Sequence, residues 1–464
     1  MKHEKPQHLQ VVRNEPKSKT VSDLNIPEVS LERFEKTLED LSAPPVAIRG
    51  RVKEITGLLI RAKLPNAHIG ELCTIEPPGR KPVQAQVVGF DDEDVFLSPF
   101  DTLEQVGPKT PVTLTGETLA VKVGDKLLGR VINSLGQAID ELGELKLETS
   151  YPVKHSAPRP LERRRISKML PLGVRVIDAL LPVGEGQRLG VFSTAGVGKS
   201  SLLGMIARNN TADVNVVALI GERGREVRDF LEDTLGPEGR KKTVVVVSTS
   251  DDSPMRRILA AYTATAIAEY FRDQGKRVML LMDSVTRFAR ALREIALSVG
   301  ESPARQGYPP SVFAALPELF ERAGNSDRGS ITAFYTVLLA TEQMEDALGE
   351  EIRALLDGHL YLSSRLSQLQ QYPAVDVLQS NSRVISMIAA AEHVDVAEKI
   401  RKLIAIYEEH RDLISIGAYK FGSDPAIDES IKKRETIIKF LSQRREERSE
   451  LIETLASARA LVSI

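Results

Sequence analysis

One cysteine in 464 residues, Cys73, excludes an internal disulfide and suits a reducing compartment. No motif near it would activate a thiol, so Cys73 reads as a small buried hydrophobe. Charge imbalance is equally scarce: 62 Lys and Arg against 64 Asp and Glu leave a formal net charge of −2. That excludes a protein gripping nucleic acid along its whole surface, though not a local basic site. No stretch approaches the roughly 18 uncharged apolar residues of a membrane-spanning helix. The opening MKHEKPQHLQVVRNEPKSKT is polar and lacks the apolar run of a secretory leader. Neither an internal repeat nor a low-complexity tract is present. The 42% hydrophobic content is enough to bury substantial cores, and the length implies two to four domains.

The texture changes along the chain. Residues 1–45 form a polar arm of mixed charge, with one short helix expected at 31–41. From 46 to 118 short β-rich runs recur at 46–55, 58–62, 71–75, 83–90, 95–97 and 112–114. Turn signals separate them, which predicts a small β-barrel. The acidic run Asp91-Asp92-Glu93-Asp94 reads as a solvated turn. From 119 to 390 near-continuous apolar strands (188–192, 214–220, 243–248, 277–282, 330–339) alternate with helices (200–209, 226–234, 255–273, 286–297). That alternation predicts an α/β domain, a parallel sheet covered on both faces. From 391 to 464 helices take over. Ile400, Leu403, Ile404 and Tyr407 sit at helical spacing. Asp424 is an expected cap, and KKRETIIKFLSQRREERSEL (432–451) reads as one charged helix.

The densest signal is Ser193-Thr194-Ala195-Gly196-Val197-Gly198-Lys199-Ser200-Ser201, between an apolar strand and a helix. That is the context of a phosphate-binding loop, and Gly196 through Ser201 are its nucleotide-binding candidates. Gly196 and Gly198 let backbone N–H groups turn toward an anion, and the helix start adds its dipole. Lys199 would reach the β- and γ-phosphates and Ser200 would ligate Mg²⁺. Ser193 stands where the usual pattern has Gly.

Phosphoryl transfer also needs a metal anchor, a water-orienting group and transition-state positive charge. Asp283 ends the apolar strand 277–282, at the carboxyl edge of the sheet where ligands bind, and suits Mg²⁺. Glu222, in GERGREV, lies just past another strand and could polarise the attacking water. The residues alone leave two readings there. Glu222 and Arg223 serve the phosphates, or they pair with each other in a loop. Tyr372, before Pro373, either packs as a loop residue or offers its ring to adenine. Arg383 is one arginine among many.

In order, the phosphate loop, GERGREV, MDSVTRFARALREI, GYPPSVFAALPELFERAG, GSITAFYTVLL, DGHLYLS and YPAVDVLQSNSRV resemble the rotary ATP synthase alpha/beta family. Within it the chain is similar to the ATPases of type III protein secretion, virulence or flagellar. The resemblance covers about residues 45–464 and implies a RecA-like ATPase domain between the barrel and the helices. It implies ATP and Mg²⁺ as cofactors, Lys199 on phosphate, Ser200 and Asp283 on the metal, and Glu222 as the catalytic carboxylate with Arg223 beside it. It makes Tyr372 the adenine-stacking aromatic and Arg383 a finger reaching a neighbour's nucleotide. In that family the loop's first Gly is often replaced, which accounts for Ser193. It further implies a homohexamer in the cytoplasm, held at the inner-membrane export gate by stator and stalk proteins. That ring would release substrates from chaperone complexes and unfold them, with no nucleic acid involved. The stretch FRDQGKRVMLLMDSVTRFARALRE and the Ser-Thr-Ala loop opening are closer in texture to the virulence branch.

Rivals share this core. A catalytic ATP synthase subunit would carry an acidic C-terminal loop where this chain reads GAYKFGSDPAIDESI. A non-catalytic subunit would lack Glu222. An RNA translocase like Rho would need stacking aromatics and basic residues in its barrel, although Arg163-Arg164-Arg165 is a local basic run. A docking platform with incidental hydrolysis would differ only in behaviour.

Overall fold

The computed structural model describes residues 48–341 and 346–462. The arm expected at 1–45, with its helix at 31–41, lies outside the described residues. Six strands follow: β1 (Arg49–Thr56), β2 (Leu59–Lys63), β3 (Glu71–Ile75), β4 (Val83–Asp91), β5 (Asp94–Pro99) and β6 (Pro111–Thr118). They close into a barrel in the order β1-β2-β5-β4-β3-β6. Alternate residues point inward, so Val52, Ile60, Ala62, Ile75, Val87, Leu97 and Val112 fill it. Cys73 is among them, buried, and burial pushes its thiol up to about 12, which keeps it inert. The acidic turn between β4 and β5 is ion-paired: Arg61 bonds Asp91, Lys53 and Arg61 both reach Asp94, and Lys63 reaches Glu93.

Two short strands form a ribbon, β7 (Ala120–Val123) with β9 (Thr149–Pro152), while β8 (Val131–Asn133) joins the large sheet. The other strands of that sheet are β10 (Arg188–Ser193), β11 (Val214–Glu222), β12 (Thr243–Thr249), β13 (Arg277–Asp283), β14 (Gly324–Asn325), β15 (Ser330–Leu338), β16 (Gly358–Leu362) and β17 (Asn381–Ser382). The order is β17-β16-β10-β15-β13-β11-β12-β8, parallel from β16 to β8. All five strands expected from the sequence are its centre. The edges escaped the sequence reading because β8 and β17 are too short to show a period.

Helix α1 (Lys199–Asn209) leaves the phosphate loop, and α2 (Pro254–Asp273) and α3 (Val285–Val299) pack against each other beside the sheet. The starts of α2 and α3 are fixed locally: the hydroxyls of Ser253 and Ser284 accept from the N–H groups of Arg256 and Arg287. The segment expected as a helix at 226–234 begins as one at Gly224–Asp229 and widens into a π turn at Phe230–Leu235. Arg49–Ile464 form one unit.

At the C-terminal end are α4 (Ala391–Ser415), α5 (Pro425–Leu441) and α6 (Leu451–Val462). Asp424 caps α5 as expected, accepting from Ala426 N and Ile427 N. The single charged helix expected over 432–451 is corrected: α5 ends at Leu441 and an irregular connector, 442–450, follows. The reason is competition for the backbone. Phe440 O and Ser442 O accept from Arg175, and Gln443 N donates to Tyr372 O, bonds that replace helical ones. The basic run is occupied too. Arg163 bonds Ala323 O and Glu321, and Arg164 bonds the carbonyls of Ser326, Arg328 and Gly329. Among the described residues no helix is long and apolar enough to cross a membrane.

Candidate active site

The site starts where β10 ends. Ser193 is fully buried and its carbonyl accepts from Leu339 N at 2.9 Å. It is the last residue of a strand and is not among the positive-φ positions, so nothing there requires glycine. Gly196 (φ +82°) and Gly198 (φ +91°) do adopt the left-handed backbone. A Cβ on Gly196 would meet nothing within 4 Å, whereas one on Gly198 would lie 3.5 Å from the Tyr372 ring. Val197 is buried between them and anchors the loop. Lys199, Ser200 and Ser201 form the first turn of α1, whose N–H groups have no partner within the helix. Ser200 is exposed there.

Parallel strands bring two acids to the same edge. Asp283 ends β13, and its Oδ1 accepts from Lys199 Nζ at 2.5 Å and from Thr336 Oγ1 of β15 at 2.8 Å. Only 3% of it is exposed. In the neighbouring β11, Leu219 is in register with Asp283, which sets Glu222 just beyond that acid. The register against β12 shifts between Ile220 and Glu222, and Gly221 there has φ +66°. A Cβ on Gly221 would lie 2.8 Å from Arg287 Cδ. Glycine therefore lets Arg287 fold back along the strand, where its Nη2 donates to Glu222 Oε2 at 3.2 Å.

Glu222 Oε1 is buried with no donor. Burial first, then the charge of Asp283 and the adjoining Glu226 carboxyl, push Glu222 up to about 7 against the pull of Lys199 and Arg287. Glu226 is held below its ordinary value, first by the neighbouring Glu222 carboxyl. Arg223 is exposed and pairs with Glu226 at 3.0 Å. The loop pair between Glu222 and Arg223 is thus not formed.

Tyr372 lies over the loop, its hydroxyl bonded to Ser367 Oγ at 2.8 Å. It borders a cavity of ≈ 800 Å³ that runs from Gly196, Gly198 and Ser201 to the connector residues Ser442–Glu447. Arg383 is elsewhere. It follows β17, its N–H bonds Asp357 O, and Asp357 N bonds Arg188 O at the start of β10. The guanidinium is exposed, with Arg353 O at 3.3 Å. One chain therefore brings together Lys199, Ser200, Glu222, Asp283 and Tyr372, and places Arg383 at the opposite edge of the sheet.

The sequence reading missed Arg287, Thr336, Glu226 and the connector wall. Arg287 had a signal, four residues after Asp283 in the first turn of a helix that leaves a strand end. The wall had none, because it comes from a part of the chain more than 200 residues away from the loop.

Three family signatures match. The nucleotide-binding domain of the ATP synthase alpha/beta family matches residues 173–382, and that family's beta-barrel domain matches 52–116. A third, the T3SS EscN ATPase C-terminal domain, matches 389–459. The chain is 49% identical over 416 residues to a flagellum-specific ATP synthase of Bacillus subtilis (strain 168), covering 89% of this chain and 94% of that one. It is 49% identical over 407 residues to a type 3 secretion system ATPase of Xanthomonas euvesicatoria, covering 88% and 92%.

The chain belongs to the type III secretion ATPases of the ATP synthase alpha/beta family. It is an ATP hydrolase. Its fold matches the assembled ATPase EscN from the enteropathogenic E. coli type III secretion system, with a TM-score of 0.84, 44% identity, and coverage of 89% of this chain and 100% of EscN. It also matches EscN solved with its central stalk EscO, at a TM-score of 0.82 and 44% identity. In this secretion ATPase the barrel, the sheet and the C-terminal helices follow one another as those signatures do.

Proposed function

We propose that this chain is the ATPase of a type III protein export apparatus, of the virulence kind, working as a homohexamer. Hydrolysis would release substrates from their chaperones and unfold them for the export gate. The ring would sit in the cytoplasm, against the inner membrane, on stalk and stator proteins. The single observation that carries the ring is the placement of Arg383, exposed at the sheet edge opposite the phosphate loop. A cation there cannot serve its own chain's nucleotide, and it is free to complete a neighbour's. EscN, which is solved assembled and with a stalk, supports the same reading. The virulence assignment rests on the sequence around 271–294 and the loop opening. It is tested by asking which deletion strain the gene restores, an injection apparatus or a flagellum.

The geometry supports the following roles. Lys199 positions the terminal phosphates, and Tyr372 takes the base. Mg²⁺ bound with the nucleotide would be held by the Ser200 hydroxyl and by Asp283 through water, and would neutralise phosphate charge. One hydroxyl and one carboxylate suit an ion that keeps its waters and binds phosphate oxygens. Glu222 Oε1, buried and without a donor, accepts a hydrogen bond from the attacking water. Arg287 holds the carboxylate in place, and Glu226 exchanges a proton with it. The base must be ionised, so kcat rises as pH passes about 7.

Two dead variants test the shared site. Lys199→Ala and Arg383→Ala should each hydrolyse ATP poorly, the second by ~10³–10⁵-fold. Mixed before assembly, they should regain activity, because some interfaces then pair an intact Lys199 with an intact Arg383. A mixture as inactive as its components would overturn the reading.

A further inference from the structure

We propose that Arg175 is a positioning residue for the base end of the nucleotide, holding residues 442–447 in place as the wall that faces Tyr372. The proposal rests on the nucleotide reading given above. It concerns a side chain that touches neither the phosphate loop nor the reacting atoms.

Arg175 opens the short helix Arg175–Leu180, far from the C-terminal helices in sequence. Its backbone N–H donates to Gln443 Oε1 at 2.8 Å. Its Nε donates to Phe440 O at 2.9 Å, its Nη2 to Ser442 O at 2.6 Å, and its Nη1 to the Glu447 carboxylate. One residue therefore ties both ends of the wall. Arginine suits this because its planar fork offers donors in fixed directions, which a lysine ammonium does not.

The anchor beneath Arg175 is itself stiff. Gly173 has φ +69°, and a Cβ there would lie 2.6 Å from Asn209 Cβ, so the chain must pass as glycine. The buried Asp178 carboxylate accepts from Leu172 N at 2.9 Å and Gly173 N at 2.8 Å. Gln443 Nε2 donates to Gly173 O at 2.9 Å. The phosphate-loop helix joins the same seam, since Arg208 donates to Arg445 O and Asn209 Nδ2 to Glu447 O at 3.3 Å.

The wall then meets the ligand side. Gln443 N donates to Tyr372 O at 2.8 Å, so the aromatic and the wall share a hinge point. Between them lies the ≈ 800 Å³ cavity, within the range of small-ligand sites. Phosphate contacts come from the loop, at one end of that cavity. The wall lies at the other, where a base and ribose extend. Loosening the wall should weaken binding of the whole nucleotide and spare a ligand made only of phosphates. Lys199, Glu222 and Asp283 keep their own partners, so the chemical step should be untouched.

The test compares Mg·ADP with Mg·tripolyphosphate, by calorimetry, on wild type and Arg175→Ala. The expected result is an ADP Kd and an ATP KM raised about 10-fold, kcat within about 2-fold, and unchanged tripolyphosphate binding. Unchanged ADP affinity in a variant that melts as a folded protein would overturn the proposal, reducing Arg175 to a structural tie. An equal loss for tripolyphosphate would overturn it as well. If Arg175→Ala does not fold, Arg175→Lys decides by the same readouts. Lysine keeps a charge for Glu447 but cannot span the carbonyls of Phe440 and Ser442. Wild-type protein that binds neither ligand overturns the nucleotide reading itself, and the proposal with it.

Discussion

Two acids are buried, Glu269 within α2 and Glu222 at the end of β11, and they are treated oppositely. Glu269 is wholly buried, and both of its oxygens are taken by Arg322, from Nε at 3.0 Å and Nη2 at 2.6 Å. The rest of that guanidinium is used as well: Nη1 bonds Val153 O at 2.9 Å, and its face lies over Tyr262. Glu222 is nearly as buried, yet one oxygen has a single donor at 3.2 Å and the other has none. A carboxylate satisfied on every side holds elements together. Under the proposed function, one kept short of donors near Lys199 is held for a reactant, because an unpaired buried oxygen costs stability unless function uses it.

The contrast breaks first on catalysis. Glu222→Gln keeps the shape and removes the base, so kcat should fall by ~10²–10⁴-fold while ADP binding changes little. A steady-state assay with a nucleotide titration decides it, and an unchanged kcat would move the water-orienting role to another residue.

The structural acid gives the next largest effect. Arg322→Ala leaves the Glu269 charge buried and alone, which costs ~3–5 kcal/mol. The variant should melt well below wild type and still turn over ATP normally where it is folded. A loss under about 1 kcal/mol would mean that the pair is not what joins α2 to the end of the helix Pro310–Phe320.

The sequence carried the edge that gathers Lys199, Glu222 and Asp283 better than the buried pair, for a physical reason. Lys199, Glu222 and Asp283 each follow a long buried strand, and parallel strands deliver their ends to one edge, so order along the chain became proximity. Glu269 sits inside α2, whose surface is buried nearly all round, and no period marks which side its partner comes from. Arg322 follows the helix Pro310–Phe320, and only packing brings it to Glu269. The barrel was legible because its strands alternate, and Asp424 because a cap is a local bond. The connector 442–450 was not, since its residues favour a helix and leave it for partners at Gly173, Arg175 and Tyr372.

The smallest effect concerns what it costs to keep Glu222 poised. In the folded chain this acid titrates at about 7 against an ordinary 4.5, so between those values the native protein keeps a proton that the unfolded chain releases. Folding is therefore weakened as pH rises through that window, with a ceiling of about 3 kcal/mol from about 1.4 kcal/mol per pH unit. Glu226 works the other way, but in a different window. Its value is held below the ordinary one, so its contribution is present above about 4.5 and is lost only on further acidification. The two contributions separate along the pH axis. Glu222→Gln cannot ionise, so the melting temperature of the variant minus that of wild type should grow from pH 5 to pH 7.5, by the equivalent of ~1–3 kcal/mol. A difference that stays flat across that range would show that the native site holds Glu222 ionised at no cost, and the contrast with Glu269 would then rest on catalysis alone.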